Sequence, residues 1–157
     1  MDPPLDPGMH PSSYPPSQSF PLLVVEDEEA SRTALAEALR AWGYGVTTAA
    51  DGREALLALA SLPRPCAVVL DLSMPVMDGA SLVRLLRQQG ALEGVGLVAL
   101  TGNEYVPEDL PFAAVLAKPL QLPVLLRVLQ ELRGGTGPAP RRARTTPPVR
   151  GGADGAR

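Results

Sequence analysis

Several short apolar runs in this sequence end in residues whose side chains can bind a cation or a charged group. Glu26 and Asp27 follow the run LLVV, and Asp71 follows AVVL. Thr101 follows LVAL, and Lys118 follows AAVLA. Three carboxylates brought close together repel one another, which raises their pKa values unless a cation joins them. Oxygen ligands without His or Cys favour a hard ion, and Mg²⁺ with retained waters is the natural candidate.

A carboxylate beside such an ion can act as a nucleophile toward a phosphoryl group, because the ion offsets the negative charge that arrives. Asp71 is the expected acceptor, since it is central among the clustered groups. Lys118 would supply a positive charge to a phosphoryl oxygen, and the Thr101 hydroxyl a hydrogen bond. Each residue taken singly is explained by a solvated turn, a cap or a surface charge. Their joint placement at the ends of successive strands favours one site.

The elements that must position these residues follow from an alternation of apolar runs and helical patterns. Buried strands are predicted at 22–25, 67–70, 97–100 and 113–117, and a weaker strand at 45–49. Helices are predicted at 28–42, after the capping residues Asp51 and Asp78, and along Leu122 to Leu132. The fold class is therefore α/β, with a flavodoxin-like, doubly wound, five-stranded parallel sheet that has helices on both faces. In that strand order the ends of the strands converge on one pocket.

Four separated blocks of the sequence resemble the signature blocks of response-regulator receiver domains. They are VVEDEEASR at 24–32, VVLDLSMPVMDG at 68–79, LVALTG at 97–102 and KP at 118–119. The resemblance covers about residues 21–133, and the blocks stand in the order and strand context of that family. It implies that Asp71 is the phosphoacceptor, and that Glu26 and Asp27 are the acidic pair that holds Mg²⁺.

The same resemblance assigns roles to the remaining site residues. The backbone carbonyl of Ser73 would be the third protein ligand of the metal, and Thr101 the switch hydroxyl. Lys118, joined to Pro119 by a cis peptide bond, would contact the phosphoryl group. Ser73 and Asn103 occupy positions that in this family tune the rate at which the phosphoryl group is hydrolysed.

Charge and composition divide the chain into three parts. A Pro-rich tail at 1–20 and a Gly/Pro/Arg-rich tail at 134–157 are predicted to be disordered, and 21–133 to be the receiver domain. From residue 21 to 132 there are eight basic and fourteen acidic residues, whereas from 133 to 157 there are six Arg and one Asp. The basic tail could bind nucleic acid or an acidic partner, but it has no interleaved aromatic residues and no DNA-binding motif, so a solvated extension is favoured.

These features predict a stand-alone cytoplasmic receiver in a phosphorelay, without a signal peptide, a membrane span or a nucleic-acid partner. Its phosphoryl donor would be a sensor histidine kinase or a phosphotransfer protein, and its downstream partner is not identified by the sequence. The alternative is a scaffold of the same fold that acts whatever its phosphorylation state. A phosphatase-like enzyme using Asp71 is disfavoured, because the chain lacks room for a second acid/base residue; we expect the protein to promote only its own phosphorylation and dephosphorylation.

The sequence departs from the family pattern between Thr101 and the fifth strand. About a dozen residues lie there, and Pro107 and Pro111 leave room for about one helical turn. We therefore predict that the family's fourth helix is shortened or absent. Val115 stands where the family often has an aromatic residue that turns inward, and Tyr105 cannot be placed in that role. These departures predict a signalling surface different from the usual fourth helix, fifth strand and fifth helix.

Overall fold

The structure is a computed structural model, and it describes residues 20–74, 78–102 and 106–134. The strands are β1 (Pro21–Val25), β2 (Gly45–Ala49), β3 (Cys66–Asp71), β4 (Val95–Thr101) and β5 (Phe112–Ala117). The helices are α1 (Glu29–Ala41), α2 (Gly52–Ser61), α3 (Gly79–Gln88) and α4 (Leu122–Arg133). All strand pairs are parallel, and the sheet order is β2-β1-β3-β4-β5. This arrangement confirms the predicted fold class.

The helix starts show how local sequence sets the elements. The Asp51 side chain accepts hydrogen bonds of 2.9 Å from the N–H groups of both Arg53 and Glu54. The Glu54 carboxylate in turn accepts a bond of 2.7 Å from the Ala50 N–H group. The predicted capping box is therefore present, except that its return bond reaches the residue before the N-cap instead of the N-cap itself. Asp78 caps α3 by accepting a bond of 2.8 Å from the Ser81 N–H group.

Helices cover both faces of the sheet and create two cores. Helices α1 and α4 pack on one face, where Leu39 and Leu125 are completely buried. Helices α2 and α3 pack on the other, through residues such as Leu59 and Leu82. Burial of each such leucine contributes about 1.5–3 kcal/mol relative to exposure. The central strand β3 is buried along its whole length, because both of its faces are covered.

The connection from β4 to β5 is the unusual part of the fold. Its described residues, 102 and 106–111, contain no helix. The connection is held from α3 instead, because the Arg87 guanidinium donates to the Asp109 carbonyl at 2.8 Å and contacts the Asp109 carboxylate at 3.3 Å. Leu110 is buried below this contact. The predicted loss of the fourth helix agrees with the described part of the connection; Asn103 and Tyr105 lie outside it.

Phe20, which the sequence analysis placed in the N-terminal tail, is among the described residues. Phe20 is buried, and its carbonyl accepts a hydrogen bond of 3.0 Å from the Gly45 N–H group. The predicted tails otherwise fall at 1–19 and 135–157, outside the described residues. None of the described helices has the length and apolar composition needed to span a membrane.

Candidate functional site

Strand register places the predicted site residues at one edge of the sheet. Val25 is paired with Leu70, so Glu26 and Asp71 follow at the same level on neighbouring strands. Beyond the paired residues the backbone stays hydrogen-bonded: the Leu72 N–H group donates to Leu100 O at 3.0 Å, and the Lys118 N–H group to Thr101 O at 2.8 Å. The carboxyl ends of β1, β3, β4 and β5 therefore meet in one place, as expected for a ligand site in such a sheet.

Asp71 is the buried centre of this site. The residue is only 1% exposed, and its Oδ2 lies 3.0 Å from the Lys118 Nζ. Its Oδ1 accepts a hydrogen bond of 3.0 Å from the Ser73 N–H group. A buried carboxylate is costly unless it is paired and hydrogen-bonded, and here both of its oxygens have a partner. The Lys118 side chain is 37% exposed, so it links the buried carboxylate to solvent.

Glu26 and Asp27 complete an acidic cluster around Asp71. These three residues offer carboxylate oxygens that all lie within 4.8 Å of one another. Glu26 is buried and Asp27 is exposed. Burial, followed by the charge of Asp71 and a hydrogen bond with it, raises the pKa of Glu26 from 4.5 to about 7, although the Glu28 N–H group and Lys118 act in the opposite direction. Without a cation, Glu26 therefore holds a proton over much of the range below neutral pH.

The cluster suits Mg²⁺ by its donor set and by its spacing. All of its ligands are oxygens, which a small hard cation prefers. Oxygens bound to one Mg²⁺ at ~2.1 Å stand at most about 4 Å apart, which is close to the separation in this cluster. Burial is the main cause of the raised pKa of Glu26, and the charge of Asp71 adds to it, so these two carboxylates do not ionise together easily without a cation. The residues present therefore fit a divalent cation.

The loop after β1 is fixed by contacts that the sequence analysis missed. The Glu28 N–H group donates to the Glu26 carboxylate at 3.2 Å. The guanidinium of Arg32, on α1, donates to the carbonyl oxygens of Glu26 at 3.0 Å and Asp27 at 3.4 Å. Arg32 ends the first sequence block, but no spacing rule predicts that its side chain returns to the backbone five and six residues earlier.

Gly79 allows α3 to begin directly against the end of β3. A Cβ atom at this position would lie 2.8 Å from a methyl carbon of Leu72, and 2.9 Å from both the Leu72 Cα and the Asp71 carbonyl oxygen. Two of these three atoms belong to the backbone that carries the phosphoacceptor candidate. A side chain at position 79 would therefore displace either α3 or the end of β3.

The other predicted site residues lie where the topology requires. Thr101 is half-buried at the end of β4, and the Lys118–Pro119 peptide bond is cis, as predicted. Ser73 uses its N–H group on Asp71; the role of its carbonyl as a metal ligand stays a prediction. Val115 is half-buried on β5. Cys66 is buried, and burial raises the pKa of its thiol, which agrees with an inert residue.

A groove opens beside the site, between α1 and the segment that joins β5 to α4. It has a volume of about 470 Å³. Glu26 and Lys118 lie in its wall, and Leu35 of α1 and Leu122 of α4 supply apolar surface. The groove therefore gives an approaching molecule access to Lys118 and to Glu26.

Comparisons with known proteins agree with this geometry. The family model described as the response regulator receiver domain matches residues 22–130. The response regulator MprA of Mycolicibacterium vanbaalenii is 40% identical over 122 residues, which are 74% of this chain and 52% of that protein. MprA of Mycobacterium bovis is 38% identical over 125 residues, covering 76% of this chain and 53% of its own length. The chain thus spans about half the length of the curated relatives it matches.

Solved structures of receiver proteins also resemble this chain. The Vibrio cholerae chemotaxis protein CheY4 superposes with a TM-score of 0.64 at 31% identity, covering 73% of this chain and 98% of that one. The receiver domain of the Pseudomonas aeruginosa sensor histidine kinase PA1611 has a TM-score of 0.66 at 32% identity, covering 74% and 98%. The latter structure has a magnesium ion coordinated in its active-site cleft.

Proposed function

The chain belongs to the response regulator receiver domain family, and on that premise we propose that it accepts a phosphoryl group on Asp71 and thereby switches its binding to a partner protein. The observation that carries the proposal is the contact of 3.0 Å between the buried Asp71 carboxylate and Lys118, next to the acidic cluster. A carboxylate held this way is oriented, and it is paired with a charge that can also meet a phosphoryl oxygen.

The proposed donor is a phosphohistidine of a sensor histidine kinase or a phosphotransfer protein. A carboxylate oxygen of Asp71 attacks the phosphorus atom, the P–O bond forms, and the P–N bond to the imidazole breaks. The imidazole nitrogen leaves with the bonding electron pair and takes up a proton. The Lys118 ammonium group then pairs with a phosphoryl oxygen instead of with the Asp71 carboxylate, and the Thr101 hydroxyl donates a hydrogen bond to another phosphoryl oxygen.

Glu26, Asp27, Asp71 and the Ser73 carbonyl are the groups that would hold Mg²⁺. When bound, the ion supplies positive charge that offsets the repulsion between the acidic cluster and an incoming phosphoryl group. The magnesium ion in the related receiver of Pseudomonas aeruginosa supports this assignment. Glu26 would release its proton when the cation binds, because a ligand carboxylate must be ionised.

The finer parts of the proposal concern the cellular setting. We propose a cytoplasmic protein that promotes its own phosphorylation and dephosphorylation and turns over no separate substrate. Action as a single-domain regulator stays a prediction, since the matched segment spans only about half the length of the curated relatives. The alternative is a scaffold that is indifferent to phosphorylation. One observation supports it: the described residues between β4 and β5 contain no helix, and a helix there is part of the family's usual signalling surface.

Phosphorylation by acetyl phosphate with and without Mg²⁺ tests the proposal. Wild type and the control Asp109→Asn, which changes an exposed carboxylate elsewhere, should each gain one phosphoryl mass only when Mg²⁺ is present. Asp71→Asn should gain none. A phosphorylated Asp71→Asn variant, or a wild type that is never modified, would overturn the proposal. Partner binding that survives unchanged in Asp71→Asn would support the scaffold instead.

A further inference from the structure

We infer that Arg32 is a positioning residue for the cation site, because its guanidinium holds the loop that carries Glu26 and Asp27. The inference rests on the proposed function, since it concerns the same acidic cluster. Arg32 lies in the first turn of α1 and reaches back across the loop. It donates to the Glu26 carbonyl at 3.0 Å and to the Asp27 carbonyl at 3.4 Å.

The loop between β1 and α1 consists of residues 26–28, so each contact fixes a large part of it. The N–H side is held by two bonds, from Glu26 N to Ala49 O at 3.1 Å and from Glu28 N to the Glu26 carboxylate at 3.2 Å. Arg32 holds two carbonyl groups of the loop, and the one from Asp27 belongs to the same peptide unit as the Glu28 N–H group. The orientation of these peptides determines where the carboxylates of Glu26 and Asp27 point, relative to Asp71.

The helix start gives the loop little other support. Glu28 occupies the N-cap position of α1, but its side chain makes no capping hydrogen bond there, unlike Asp51 and Asp78 at α2 and α3. Arg32 therefore holds the residues before this helix by donating to their carbonyl groups, and no capping side chain helps it. Both bonds come from the same guanidinium nitrogen, Nη1, so one side chain fixes both carbonyl groups.

The same helix offers a matched control. Arg40 lies near the other end of α1 and donates from Nη2 to the Val46 carbonyl at 3.1 Å. This is also a bond from a guanidinium to a backbone carbonyl, but it joins α1 to β2, away from the acidic cluster. Arg32→Met and Arg40→Met make the same side-chain change on the same helix and each remove bonds to backbone carbonyls, but only Arg32 bonds to the loop that carries Glu26 and Asp27.

The experiment measures Mg²⁺ affinity by calorimetry for wild type, Arg32→Met, Arg32→Lys and Arg40→Met. We expect Arg32→Met to weaken binding about tenfold, which is typical for loss of a group that orients metal ligands. Arg32→Lys should recover part of the affinity, since it keeps the charge but loses the planar fork. Arg40→Met should bind Mg²⁺ as wild type does, although both Met variants lower the thermal stability in EDTA.

Amide shifts in EDTA supply a readout that needs no metal. Arg32→Met should shift the resonances of residues 26–28 and of Asp71, whereas Arg40→Met should shift those near Val46. The inference would be overturned if Arg32→Met bound Mg²⁺ as tightly as wild type, or if Arg40→Met weakened Mg²⁺ binding equally. It would also be overturned if the amide shifts of residues 26–28 and Asp71 were unchanged in Arg32→Met. A wild type that binds no Mg²⁺ would overturn the proposed function, and the EDTA shifts would still decide the role of Arg32. If Arg32→Met fails to fold, the comparison of Arg32→Lys with wild type decides it.

Discussion

The buried carboxyl of Glu26 makes the stability of the metal-free protein depend on pH in a specific direction. Its pKa is about 7 in the fold and 4.5 as a reference for the unfolded chain. Because the folded state binds the proton more tightly, this contribution to stability is fully present below about pH 4.5 and is lost as the pH rises through about 7. The variant Glu26→Gln stays neutral and keeps the hydrogen-bond acceptor for the Glu28 N–H group.

The magnitude follows from the two pKa values. Full ionisation of Glu26 in the fold costs about 3 kcal/mol, of which about 2.5 kcal/mol falls between pH 5 and pH 8. For a domain of this size, that loss corresponds to a decrease in Tm on the order of 8 °C. Wild type should show this decrease in Tm. The variant Glu26→Gln should lack it, because its residue 26 cannot ionise.

Thermal unfolding in EDTA, followed by circular dichroism from pH 5 to pH 8, measures this difference. The Tm of Glu26→Gln minus that of wild type should grow steadily with pH. Glu28→Gln, an exposed change in the same loop, is the control and should follow wild type. Saturating Mg²⁺ should remove most of the wild-type loss. Parallel Tm curves for wild type and Glu26→Gln would refute the reasoning, because they would mean that Glu26 ionises as freely in the fold as in the unfolded chain.

Three further predictions concern the surroundings of the site. Gly79→Ala should destabilise the fold by about 1–3 kcal/mol and weaken Mg²⁺ binding, because the added Cβ would press on backbone atoms at the end of β3; denaturant unfolding and calorimetry measure the two effects. Asp51→Ala should cost about 1 kcal/mol in denaturant unfolding, since it removes both capping bonds, but should leave Mg²⁺ affinity unchanged. Beryllofluoride with Mg²⁺ should shift the amide resonances of Thr101 and Lys118 much more than those of Val106 and Val115; large shifts at the latter two would mean that the usual output face is used.

The sequence predicted the sheet well because its strands are continuous apolar runs that end in polar residues. The run AVVL before Asp71 has few alternatives to a buried central strand, and Asp51 and Asp78 are strong helix starts. The prolines at 107 and 111 predicted a shortened or absent fourth helix, since proline removes a helical N–H donor, and the described residues between β4 and β5 contain no helix. Convergence of Glu26, Asp71 and Lys118 then followed from topology.

The remaining features depend on contacts that no local pattern contains. The bond from Arg87 to Asp109 joins residues 22 positions apart, and no local pattern pairs them. Arg32 looks like an ordinary polar residue of an amphipathic helix until the loop geometry is known. The raised pKa of Glu26 likewise required its burial, because exposed neighbouring carboxylates would have been screened by water.

Fluorine NMR of beryllofluoride binding tests most directly whether a divalent cation and Asp71 form one phosphoryl-accepting site. Beryllofluoride mimics a phosphoryl group on a carboxylate, so bound fluorine signals should appear in wild type only when Mg²⁺ is present. They should be absent from Asp71→Asn under the same conditions. Bound signals that do not need Mg²⁺, or that persist in Asp71→Asn, would contradict the account.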